Sequence, residues 1–246
     1  MSIDQLSGKM EISVATLSRF VRHAGFKDFK ELKASIVEQT DYESPADKMT
    51  ATLTQSGKTG AVELLRYQQY CIEKTLELLS ETELEKAVEA ITTADTVYIH
   101  GKGAAASLAV LLHFRLNRLG KKVIILSTGG SELFEGLIHA GPKDLIILFG
   151  FQKLPREVKV ILEQRQETGY KTLLISSKVF DSESRRGDIN LFVYRGESNE
   201  YHSMGAPMAL MDAMIVMTAQ RLGPTALNNL ASLYQLKEKY TEEIPR

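Results

Sequence analysis

A chain of 246 residues with 43% apolar and 25% charged side chains has an ordinary globular composition, with room for one large domain or a medium domain plus a small appendage. Thirty basic against 31 acidic residues leave a net charge of −1, which excludes a chain-wide field drawing it to nucleic acid or membrane. The single cysteine, Cys71, excludes an internal disulfide or a cysteine-based zinc cluster, and neither a signal-peptide pattern nor a bilayer-length apolar run is present.

Residues 2–36 read as three short helices. Ser2 suits the N-cap of a helix over 3–9, and Ser13 that of a helix over 14–24 closed by Gly25. Asp28 with Glu31 three residues later starts a third helix over 29–38 in capping-box fashion. In the middle helix Val14, Leu17, Val21 and Ala24 share one side with Phe20 beside them, a pattern that predicts inward packing. Thr16, Arg19, Arg22 and His23 take the opposite side. A short helix, a turn of about four residues and a second helix with polar and basic residues outward is helix-turn-helix geometry. Between Val14 and Lys33 five basic residues face two acidic ones, a local surplus inside a slightly acidic chain.

The stretch 42–60, YESPADKMTATLTQSGKTG, has few large apolar residues and reads as a linker with one helical turn around Pro45 to Met49. Two helical patterns follow, over 61–79 and 82–92. The first sets Leu64, Leu65, Tyr67, Tyr70, Cys71, Thr75, Leu76 and Leu78 mostly along one stripe. From Asp95 onward short apolar runs alternate with amphipathic ones. Strands are predicted at 96–100, 122–127, 144–150, 171–177 and 189–194. Helices fill the gaps at 104–119, 131–139, 155–168 and 208–222, and a last one covers 225–240. Strands that are solid apolar runs are buried on both faces, so the fold class is a doubly wound, parallel five-stranded α/β domain behind an all-α head. Residues 204–222 are apolar nearly all round, which predicts burial in the core or against another subunit.

In an open parallel sheet a ligand lies outside the carboxyl ends of the strands. The loops there begin at Gly101, Ser127, Gly150, Ser176 and Arg195. Gly101-Lys-Gly lets the backbone turn tightly before a helix, whose free N–H groups favour an anion. It lacks the third glycine and the following acidic residue of a dinucleotide site, so no such cofactor is expected. Ser127, Thr128 and Ser131 open the next helix, with Ser131 placed to cap it; Glu197, His202 and Ser203 are further candidate contacts. Glu197, Glu200 and His202 are the groups that could serve as a general base and acid, but their spacing does not demand it. The five histidines show no metal-ligand spacing, so no metal site is expected.

The stretch Ser13–Lys33, SVATLSRFVRHAGFKDFKELK, carries an ATLSRF core and a GFK followed by FKEL. It resembles the recognition region of RpiR-type bacterial transcriptional regulators. The resemblance implies a helix-turn-helix head over 1–40, a linker over 41–60 and a sugar isomerase (SIS) domain over 61–246. It implies that the second helix enters the major groove with Ser13, Val14 and Thr16 toward the bases. Arg19 and Arg22 would hold phosphates or read a guanine, and Lys27 and Lys30 would brace the backbone. Family members usually carry one or two helices before the segment that starts here at Ile3, so either translation starts upstream of Met1 or the head is a reduced one. The SIS resemblance implies ligand contacts from Gly101, Lys102, Gly103, Ser107, Ser127, Thr128, Ser131, Gln152, Lys153 and Glu197.

Two positions depart from the SIS pattern. The serine expected in the first loop is Ala105, and the family's Ser-x-Ser-Gly-x-Thr phosphate loop is here Phe149-Gly-Phe-Gln-Lys-Leu-Pro-Arg156. Either Lys102, Lys153 and Arg156 retain an anionic ligand by charge, or the pocket holds a different small molecule. The expected partners are operator DNA, a small anionic sugar-related effector and a second copy of the chain, as a homodimer or tetramer, in the cytoplasm and without membrane or cofactor. The alternative is a phosphosugar isomerase or sugar-binding module with a vestigial head, and a third reading is a dimeric interaction protein.

Overall fold

The computed structural model describes residues 2–33, 44–55, 60–178 and 183–244. It divides into two compact units, one of residues 1–57 with Ser198–Tyr201 and one of residues 58–197 with 202–246.

The first unit opens with α1 (Ile3–Met10), held by a capping box in which Ser2 and Gln5 exchange side-chain to backbone bonds. Glu11 turns the chain in the left-handed region (φ 54°), and its N–H bonds back to the Ser7 carbonyl. Three residues after α1 the chain enters α2 (Val14–His23). The Ser13 hydroxyl accepts the Thr16 N–H at 3.1 Å, and the far end closes as a Schellman motif with Gly25 at φ +87°. Residues 29–33 begin a further helix, behind an Asp28 side chain that accepts the Glu31 N–H at 2.9 Å; the rest of the expected helix over 29–38 lies outside the described residues.

Leu17 and Val21 are buried as expected. Val14 and Ala24 are exposed instead, and Phe20 is 59% exposed. In a unit this small, the neighbouring α1 covers only a narrow stripe of α2, so an apolar position off that stripe finds no cover. The expected linker also needs correction. Its described part is an 11-residue helix, α3 (Pro45–Gln55), whose Thr52 Oγ1 accepts the Tyr201 N–H at 2.8 Å. The Ser44 hydroxyl accepts the Asp47 N–H and the Asp47 carboxylate accepts the Ser44 N–H, a reciprocal cap that starts the helix despite its polar composition.

The second unit begins with α4 (Ala61–Leu78) and α5 (Glu81–Thr93) and continues as alternating strands and helices. These are β1 (Val97–His100), α6 (Ala105–Arg118), β2 (Val123–Ile125), α7 (Glu132–Leu137), β3 (Leu145–Phe149), α8 (Arg156–Thr168), β4 (Lys171–Ser176) and β5 (Ile189–Phe192). Two last helices follow, α9 (Gly205–Leu222) and α10 (Pro224–Lys239). The sheet is all-parallel with strand order β2-β1-β3-β4-β5. Leu145–Phe149 is buried at every position, which is why it reads as an unbroken apolar run.

Alternation along the strands divides the core. Val97, Ile99, Ile147 and Ile175 face α4, α5, α6 and α9, whereas Tyr98, Ile146, Leu148 and Leu174 face α7 and α8. α9 packs on α5, α4 and α6, burying Leu210, Met211, Met214 and Ile215 while Met208 and Val216 stay exposed. The apolar stripe expected on α4 is only partly used. Cys71 and Thr75 are buried, but Leu64, Leu65, Leu76 and Leu78 are exposed. No helix among the described residues is long and apolar enough to cross a membrane.

Candidate functional site

The chain leaves β1 to one side of the sheet and β3 to the other, so the strand order reverses between them and a crevice opens at their carboxyl ends. Three loops meet there: 101–104 after β1, 126–131 after β2 and 150–155 after β3. Gly101 is required by space, since a Cβ on it would stand 2.6 Å from the Ala105 carbonyl oxygen. Gly103 is required by conformation, with φ at +60°. Neither α6 nor α8 has a side-chain cap, and the first N–H groups of α6 bond instead to the carbonyls of Lys102, Gly103 and Ala104.

Across the crevice runs an ion pair. Lys102 Nζ, in the first loop, donates to Glu157 Oε1, in the first turn of α8, at 2.7 Å. Gly129 of the second loop backs this pair, and a Cβ there would lie 3.1 Å from Glu157 Oε1. The hydrogen bond from Lys102, then one from the α8 backbone, hold the Glu157 carboxyl below its ordinary range. Because the Lys102 side chain is 53% exposed, such a pair contributes less than about 1 kcal/mol and is open to exchange.

Behind the loops His100 is fully buried. Its Nδ1 lies 3.1 Å from the Ser127 carbonyl, which can only accept, so the ring proton sits on Nδ1. Nε2 has no hydrogen-bond partner among the described residues. Burial therefore pushes the His100 pKa below the ordinary value of 6.5. Between the depressed folded pKa and 6.5, the unfolded chain binds more protons than the folded one. Stability contributed by neutral His100 is present above pH 6.5 and is lost as pH falls through that window. Denaturant unfolding from pH 8 to pH 5 is expected to show a shallower acid loss for His100→Asn, whose amide keeps a donor; parallel profiles would refute the assignment.

Several predicted contacts are already engaged. The Ser127 hydroxyl donates to the Gly129 carbonyl at 2.9 Å, and Ser107 to the Ala104 carbonyl at 2.7 Å. Ser131 stands at the N-cap position of α7, but its side chain makes no cap bond, contrary to expectation; its backbone is helical (φ −64°, ψ −30°), whereas a capping serine is extended. Thr128, Ser131 and Lys153 are exposed, as is Arg156. Gln152 reaches the other side of the site, where its Nε2 is 2.9 Å from His202 Nε2. That imidazole nitrogen is also 2.9 Å from the Glu197 carbonyl. The Glu197 carboxylate accepts from Tyr194 OH at 2.8 Å, and burial followed by this bond raises the Tyr194 pKa, so its hydroxyl acts as a donor.

The sequence did not single out Glu157, Gly129, Arg195 or Phe151. Arg195 is buried, with its guanidinium 4.2 Å over the Phe151 ring and bonds to the Ser203 and His202 carbonyls. It ties the loop after β5 to the loop after β3. No group of three His, Cys, Asp or Glu side chains among the described residues has the arrangement of a metal site.

On the head, the outer face of α2 presents Thr16, Arg19, Arg22 and His23, all exposed, as are Lys27 and Lys30. Ser13 and Thr16 are bonded to each other through their hydroxyls at 2.8 Å, so a base contact by Ser13 competes with its capping role.

The SIS domain family matches residues 90–217. An uncharacterized HTH-type transcriptional regulator of Caldanaerobacter subterraneus subsp. tengcongensis is 22% identical over 227 residues, 90% of this chain and 79% of that protein. The sugar isomerase domain of an RpiR transcription factor from Sphaerobacter thermophilus is 27% identical with a TM-score of 0.66, covering 72% of this chain and 99% of that one. The Vibrio vulnificus NanR protein, solved with ManNAc-6P, shares the fold over 97% of this chain and 86% of its own, with 16% identity and a TM-score of 0.62. With a parallel sheet in the order 2-1-3-4-5, a helical head before it and this match over more than half its length, the chain belongs to the SIS-domain family, and it is similar to RpiR-type regulators.

Proposed function

We propose that the protein is a cytoplasmic transcriptional regulator, not an isomerase, in which the head binds operator DNA and the SIS domain senses a phosphorylated carbohydrate. The observation that carries this reading is the similarity to an HTH-type regulator over 90% of the chain, which reaches beyond the α/β unit. The proposed division is a DNA-binding head over 1–40, a connecting segment over 41–60 and the sensing and pairing domain over 61–246. Arg19, Arg22, Lys27 and Lys30 supply positive charge for phosphates, and Val14 and Thr16 lie at the end of α2 that meets base edges. Exposed apolar side chains on α6 (Val110, Phe114) and α10 (Leu227, Tyr234) support pairing with a second copy. Two heads in a symmetric dimer read two half-sites, and an effector that prefers one arrangement of the dimer alters operator affinity by the same coupling energy.

Selection of bound fragments from a random duplex pool, with the full chain at near-physiological salt, tests this. A palindromic consensus is the expected result. ManNAc-6P, the ligand of NanR, is the first effector to titrate against the selected site, followed by other sugar phosphates. No enrichment by a folded protein would remove the regulator reading, and turnover of a sugar phosphate would replace it with the isomerase.

A further inference from the structure

The crevice between β1 and β3 is spanned by one charge pair drawn from both of its sides. Lys102 belongs to the loop that leads into α6 and Glu157 to the first turn of α8, and these helices lie on opposite faces of the sheet. The carboxylate occupies the place where an open α/β sheet offers an anion its best environment: at the switch in strand order, at a helix N-terminus, against a cation. A Cβ at position 129 would come within 3.1 Å of its Oε1, so a side chain there would crowd the carboxylate. Beneath the pair, the fully buried His100 ring, whose Nε2 has no partner among the described residues, lies within electrostatic reach of both charges.

This arrangement has a consequence for any ligand that carries a phosphate. The pair is neutral as a whole, so Lys102 offers no net charge to an incoming anion while Glu157 holds it. A phosphate placed on Lys102 would also meet the Glu157 carboxylate at close range, and like charges at that separation repel. Binding then requires the carboxylate to leave. Glu157 is ionised throughout the neutral range, so a change of pH near 7 does not release it.

We propose that Glu157 is an internal competitor for the anionic group of the effector, so that binding is an exchange in which a phosphate displaces this carboxylate from Lys102. The inference rests on the phosphosugar reading of the pocket. Glu157 thereby sets specificity: a dianion outcompetes it where a singly charged or neutral sugar does not. Exchange also cuts the tie between the β1–α6 and β3–α8 sides of the crevice, so ligand binding and loosening of the crevice occur together.

Calorimetric titration of the full chain with glucose 6-phosphate and with inorganic phosphate tests the exchange. E157Q, which keeps the side-chain shape and removes the competing charge, is expected to bind both probes three- to tenfold more tightly than the wild type. E157D, whose carboxylate is one methylene further from Lys102, should fall between them. K102M should bind more weakly than the wild type, and the double variant K102M/E157Q should lose the gain seen in E157Q. Wild-type binding that E157Q leaves unchanged or weakens would overturn the exchange and leave the phosphosugar reading standing. Absence of binding to the wild type and to every variant, each melting cooperatively, would overturn the reading and the exchange together.

Discussion

Replacing Arg19 and Arg22 together with alanine is expected to weaken operator binding by ten- to a hundredfold and to lower the salt slope by about two. The two side chains lie three residues apart on the exposed face of α2, so one groove or one stretch of phosphates can take both. The helix itself depends on other residues. Leu17 and Val21 anchor it, Ser13 caps its start and the Gly25 turn closes its end. The double variant should therefore fold as the wild type does, and its loss would belong to the interface. Fluorescence anisotropy on the selected site, measured between 50 and 200 mM salt, reads affinity and slope together. Unchanged affinity with an unchanged slope would remove α2 as the recognition helix. A loss equal on all sequences would make both arginines phosphate contacts, and a loss confined to one base position would make one of them a guanine reader.

The α/β unit was legible because its central strands are buried on both faces. Residues 145–149 have no polar position to interrupt them, and 171–176 carry one exposed residue, Lys171, at the entry. A run of that kind needs cover on two sides, which already implies crossover helices and parallel pairing. Amphipathic helices were less legible. Leu64, Leu65, Leu76 and Leu78 sit on α4 at positions that a periodicity argument sends inward, yet they are exposed. Periodicity shows that a helix has an apolar side but not which neighbour lies against it. The same ambiguity misplaced Val14 and Phe20 on α2. In α3, low hydrophobicity was read as a linker, although the reciprocal Ser44–Asp47 cap was visible in the sequence and is a local signal for a helix start.

The location of the site followed from topology, but its chemistry did not. A rule about strand ends names the loops after β1, β2 and β3 without naming the side chains that act in them. Hydroxyls predicted as ligand contacts, those of Ser107 and Ser127, spend their donors on carbonyls two or three residues away. Lys102 was read as a free cation because nothing in its local sequence answers its charge. Its partner is 55 residues away, brought close only when β1 and β3 pair. Arg195 and Phe151 were missed for the same reason, since a loop after β5 meets a loop after β3 only in the folded sheet. Contacts of this kind carry no spacing that a single sequence displays.

Gly101→Ala is expected to destabilise the α/β unit by about 3 kcal/mol and to abolish binding of sugar phosphate. A Cβ at this buried position would approach the Ala105 carbonyl oxygen to 2.6 Å and its carbon to 2.9 Å. Both atoms are backbone of the first turn of α6, where Ala105, Ala106 and Ser107 are held by short-range bonds to the carbonyls of Lys102, Gly103 and Ala104. The clash cannot be relieved by rotating a side chain. It must push the loop off the helix, and Lys102 is the next residue in that loop. Gly103→Ala provides the contrast, because nothing lies within 4 Å of its Cβ and only the left-handed backbone at φ +60° opposes it. That conformation costs a residue with a side chain about 1 kcal/mol. Denaturant unfolding and ligand titration of both variants separate the two effects. If Gly101→Ala is as stable as Gly103→Ala and still binds, the loop yields easily, and the close packing of β1 against α6 does not position Lys102. If it is markedly less stable and binding is lost while Gly103→Ala binds, the approach of backbone to backbone at Gly101 is what sets Lys102 opposite Glu157.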